Sequence, residues 1–124
     1  MAVIASNGPG SGVALSTAQT GTGDSTNIAD RGSRRGPGAI VITTTVGATP
    51  TVTVNIQGSV DGTAWYNIGY SLVATPETVA VAALAAITTA TTTTYLLRPD
   101  HAWQQVKLVY SANTNVTITA TAYI

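Results

Sequence analysis

The chain has 124 residues, a formal net charge of zero and only 8% charged side chains. That length suits one domain around one hydrophobic core, and the absence of cysteine excludes a disulfide framework and thiolate metal ligation. Threonine, β-branched and stiff at χ1, supplies close to a fifth of the residues and biases the chain toward strands, while a surface this poor in charge suits a component packed against other molecules.

Residues 1–12 read as an arm, because Ser6-Asn7-Gly8-Pro9-Gly10-Ser11-Gly12 favours irregular conformations. Its first six residues lack the basic and apolar regions of a signal peptide. Residues 13–124 read as one β-sandwich domain. A short strand is expected from Val13 to Gln19, a turn over 20–24, and a second strand from Ser25 to Ala29.

The stretch from Asp30 to Gly38 places Arg31, Arg34 and Arg35 among glycines and a proline, which predicts an exposed basic loop. Such a loop either sits in solvent or docks against a partner's carboxylates through bidentate pairs. The scarcity of charge elsewhere favours docking, so Arg31, Arg34 and Arg35 are the candidate partner-binding residues.

Ala39 to Val46 is a run of branched side chains, Gly47-Ala48-Thr49-Pro50 punctuates it, and Thr51 to Gln57 alternates Val52, Val54 and Ile56 against polar residues. Asp61-Gly62 predicts a tight turn that pairs this strand with Ala64 to Ile68 as a hairpin. Val79 to Ala86 is rich in alanine, a helix former, yet Val79 and Val81 alternate and the threonines that follow oppose helix, so a strand is expected. The apolar run 79–87 is far shorter than the roughly twenty residues that span a bilayer. Tyr95-Leu96-Leu97-Arg98-Pro99 is expected to end a strand. Gln104 to Tyr110 then turns Val106, Leu108 and Tyr110 inward, Val116 to Ile124 alternates again, and 111–115 is expected to join these two as a hairpin loop. Seven or eight short strands at this spacing predict an all-β, two-sheet antiparallel sandwich or jelly roll. No fixed-period repeat points to a solenoid or propeller.

Catalytic chemistry finds little to work with. The single histidine, His101, follows Pro99-Asp100 and reads as part of a turn rather than as the base of a Ser-His-Asp site. Asp24, Asp30, Asp61, Glu77 and Asp100 lie nearly all beside turn-forming residues, where a carboxylate caps backbone N–H groups. No metal-ligand spacing is present, Gly8, Gly10 and Gly12 lack the strand and the Lys-Ser or Lys-Thr of a phosphate loop, and a neutral chain is a poor match to nucleic acid. The expectation is therefore no catalytic residue, no cofactor, no metal, no nucleic acid and no membrane. Trp65 and Trp103 read as core residues in at least one case, the alternative being a sugar-stacking platform.

Several stretches taken together resemble a known group of proteins: Asn27-Ile28-Ala29-Asp30, Ala39 to Thr45, Gly47 to Gln57, Gly58-Ser59-Val60-Asp61-Gly62-Thr63-Ala64-Trp65-Tyr66 and Asn113 to Thr119. The chain resembles small β-sandwich virion structural proteins of tailed bacteriophages, of the capsid decoration or cement type, over most of its length from Val13 to Ile124. The resemblance implies a non-enzymatic protein on the outer capsid surface, bound to the major capsid protein, with a homotrimer favoured. A tail or head-to-tail component is the alternative within that class. A carbohydrate-binding module for host attachment is the alternative outside it.

Overall fold

The computed structural model describes residues 2–8, 10–32, 34, 37–98 and 102–124. Ten strands order them: β1 (Ala2–Ala5), β2 (Val13–Gln19), β3 (Gly23–Asp24), β4 (Asn27–Asp30), β5 (Gly38–Ser59), β6 (Tyr66–Asn67), β7 (Tyr70–Leu72), β8 (Thr75–Ala80), β9 (Thr91–Leu97) and β10 (Gln105–Tyr123). The described residues contain no helix. The hydrogen-bonded path runs β1-β4-β10-β5-β9-β7-β8, with β2 and β3 also on β10 and β6 on β5. Every pairing is antiparallel except β1 with β4. The fold is an all-β sandwich, as expected, but the described residues form ten strands, two of them long.

Those two, β5 and β10, form one ribbon that pairs from Gln105 opposite Ser59 to Tyr123 opposite Ala39. Its halves have different neighbours. The start of β10 takes β3 and β4 and its end takes β2; the start of β5 takes β9, and its end takes β6 and an isolated bridge from Val52 to Ile87. Inward side chains of both halves meet in a single core. In one half Ile40 and Ile42 stand opposite Ala122 and Ala120, so a large side chain faces a small one; in the other Ile56 faces Leu108 and Val54 faces Tyr110.

Two expected turns become one corner. Gly47–Pro50 and 111–115 lie opposite each other across the ribbon, where the register shifts between Ser111 and Thr114 and again between Thr114 and Val116. Thr49, Ala112 and Asn115 adopt left-handed φ values of 44°, 51° and 54° there. The Asn113 side chain accepts from the Val116 N–H and donates to the Val116 carbonyl, which satisfies the displaced backbone locally. A hairpin is thus corrected to a double bulge: the turn residues bend two strands together instead of reversing either one.

The remaining differences are smaller. The second short strand starts at Asn27 rather than Ser25, and β3 lies where a turn was expected. The 79–86 strand is mostly displaced to β8, after which 81–90 runs irregularly apart from the Ile87 bridge. The hairpin of β5 with β6 forms as expected, Gly58 opposite Tyr66 and Gln57 opposite Asn67, with Gly62 at φ 80° in the connecting loop. Within residues 1–12, Ala2–Ala5 is extended and paired to β4.

Candidate partner-binding surface

The basic loop begins where β4 ends. Arg31, expected on an exposed loop, is only 5% exposed: its guanidinium lies 3.5 Å from the centre of the Trp103 ring and its Nε donates to the Trp103 carbonyl at 3.0 Å. Stacking and hydrogen bonding together compensate the removal of this charge from water. Arg31 therefore clamps the loop to the fold. Arg34 is exposed, and its guanidinium donates to the Ser6 carbonyl. Arg35 lies outside the described residues, as do Asp100 and His101.

Ser6 is a junction. Its N–H donates to the Asp30 carbonyl at 2.7 Å and its buried hydroxyl donates to the Ile124 carbonyl at 3.2 Å. The arm, the end of β10 and the basic loop are thereby tied at one place, although about 120 residues separate two of the partners. Asp30 secures the neighbouring backbone: partial burial acts to raise its carboxyl, but bonds donated by Gln105, the Gly32 N–H and Gln104 outweigh this and hold it below the usual carboxylate range.

Both tryptophans are engaged inside the molecule. Trp103 is 3% exposed and its indole N–H donates to the Arg98 carbonyl. Trp65 is half-buried, with the Lys107 ammonium 4.5 Å from its ring centre. Lys107 also pairs with Asp24 at 2.9 Å. Sequence reasoning passed over Lys107: it is the outward-facing member of Val106-Lys107-Leu108 in the alternation, and nothing local signals that Trp65 folds over it. Asp61 caps its own turn, its carboxylate drawn below the usual range by the N–H groups of Thr63 and Ala64 and the Ser59 hydroxyl.

The described charges are thus largely held in intramolecular contacts, leaving an outer surface of hydroxyls and scattered apolar side chains. Leu72, Val73, Val79 and Val81 are exposed around the β7–β8 hairpin, beside a cleft of about 250 Å³ lined by Tyr70, Leu72, Ala80, Leu84 and Tyr95. The Tyr70 and Tyr95 rings meet edge to face there, 5.8 Å apart. No family model matches the chain, and neither a curated protein nor a solved structure does.

Proposed function

We propose that the chain is a non-enzymatic structural protein of a virus particle: a capsid decoration protein that binds the outer surface of the major capsid protein as a homotrimer and stabilises the head. The observation that carries this reading is the disposition of charge. Of a sparse set of ionisable groups, Arg31, Lys107, Asp24, Asp30 and Asp61 serve the fold itself. The remaining surface is a neutral, threonine-rich exterior with apolar side chains, suited to lasting contact rather than to transient electrostatic encounter.

Attachment in several copies lets individually weak contacts add, which is how a protein this small braces a shell. Arg34, beside the anchored arm, is the described member of the candidate set that remains on the surface. The sugar-platform alternative has no support from the indoles, since Trp103 is buried and Trp65 rests on Lys107. The test is to add purified protein to phage heads that lack it. Saturable binding on the outer surface and raised resistance to heat are expected; a protein that ignores heads and shells of every such phage tried would overturn the proposal.

A further inference from the structure

Asn7 stands apart from the other asparagines of the chain. The sequence has six, and the residues that follow Asn27, Asn55, Asn67, Asn113 and Asn115 are isoleucine, threonine or valine, all β-branched, whereas Asn7 is followed by Gly8. Branching at Cβ crowds the backbone nitrogen of its own residue, and glycine leaves that nitrogen open. The fold widens the contrast. Asn7 is exposed, and among the described residues its side chain meets no hydrogen-bond partner. Gly8 has φ 122°, with open space where a Cβ would stand. Its N–H belongs to no strand ladder and meets the Ser6 hydroxyl at 3.2 Å. Elsewhere the amides are held: Asn27 donates to the Ala14 carbonyl, Asn115 to the Ala48 carbonyl, and Asn113 bonds Val116 at both ends of its amide.

We infer that Asn7 is a site of spontaneous covalent modification, losing its amide as ammonia to become a mixture of isoaspartate and aspartate. The Gly8 nitrogen, once a base in the solvent takes its proton, attacks Asn7 Cγ. The new N–Cγ bond closes a succinimide ring and the Cγ–Nδ2 bond breaks, the leaving nitrogen taking a proton from solvent to depart as ammonia. Water then opens the ring. Cleavage at the Asn7 main-chain carbonyl leaves the backbone running through Cγ as isoaspartate, and cleavage at Cγ gives aspartate. Either product adds a negative charge to a chain of net charge zero, next to the Ser6 carbonyl that accepts from Arg34. Asp61-Gly62 has the composition to close the same ring, but its carboxylate is fixed by the Thr63 and Ala64 N–H groups and the Ser59 hydroxyl. The inference goes beyond the virion reading and stands without it.

The test incubates the full chain in mildly alkaline buffer, digests samples over time and reads each asparagine by mass spectrometry, with electron-transfer fragmentation to tell isoaspartate from aspartate. Acid is expected to accumulate at position 7 about tenfold or more faster than at any of the other five asparagines, and faster still as pH rises. Isoaspartate marks the ring, since direct hydrolysis of the amide gives aspartate alone. Gly8→Val, compared with the unsubstituted chain both folded and in urea so that backbone strain does not enter, is expected to slow the reaction about tenfold or more. Absence of acid at position 7, an equal rate at another asparagine, aspartate without isoaspartate, or an unchanged rate in Gly8→Val would each overturn the inference.

Discussion

Replacing Ser16 by alanine is expected to cost more than replacing its larger partner Tyr110 by phenylalanine. Tyr110 is fully buried, and its hydroxyl lies 2.7 Å from the Ser16 hydroxyl, which in turn donates to Gln19 Oε1 at 2.7 Å. An amide oxygen only accepts, so the Ser16 proton goes to Gln19 and the Tyr110 proton goes to Ser16. Ser16→Ala leaves the Tyr110 O–H buried with nothing to receive it, a cost of about 1–3 kcal/mol. Tyr110→Phe removes one hydrogen bond while Ser16 keeps Gln19, a cost of about 0.5–1.5 kcal/mol. In the double variant Gln19 Oε1 still accepts from the Thr26 N–H and hydroxyl, so the two losses are expected to overlap by about 1 kcal/mol. Urea unfolding followed by tryptophan fluorescence at fixed protein concentration measures all three variants. Tyr110→Phe proving the costlier single change, or strictly additive losses, would refute the proton direction assigned to this chain of hydroxyls.

The same tyrosine sets an alkaline limit. Burial pushes its phenol from 10.0 up to about 12, so between those values the folded state holds a proton that the unfolded state has released. Stability is therefore complete below pH 10 and falls as pH rises toward 12, by roughly 2–3 kcal/mol for this group, and Tyr110→Phe should flatten that part of a stability profile. Ala112, held at φ 51° in the ribbon corner, is expected to gain from glycine: Ala112→Gly should stabilise by about 0.5–1 kcal/mol in the same assay. Gly62, at φ 80° with a Cβ position 3.0 Å from Gln105 Oε1, should show the opposite sign, Gly62→Ala losing about 1 kcal/mol. Arg31→Ala should lower stability by about 2 kcal/mol or more, because it strips a buried cation from the Trp103 face; thermal unfolding checks it, and an unchanged melting temperature would return Arg31 to the exposed surface.

The candidate surface was only partly legible. That Arg31 and Arg34 share a Gly-rich stretch is a local fact, and it correctly locates a loop. Whether a guanidinium in that loop meets solvent or an indole depends on Trp103, about seventy residues away, and no spacing rule joins them. Lys107 under Trp65 is the same case. The alternation of Val52, Val54 and Ile56 and of Val106, Leu108 and Tyr110 was readable because burial on one face of a strand imposes period two on the residues themselves.

Local chemistry thus determined the all-β class, the inward faces of the principal strands and the β5–β6 hairpin, since each depends on side chains within a few residues of one another. Tertiary structure decided what the turn signals do. Gly47–Pro50 and 111–115 each carry the residues of a reversal, and each could have folded its flanking strands into a hairpin. They bend one long ribbon instead, because β5 and β10 pair with each other on both sides of the corner. That choice rests on long-range ladders and a shared core, which no window of neighbouring residues contains.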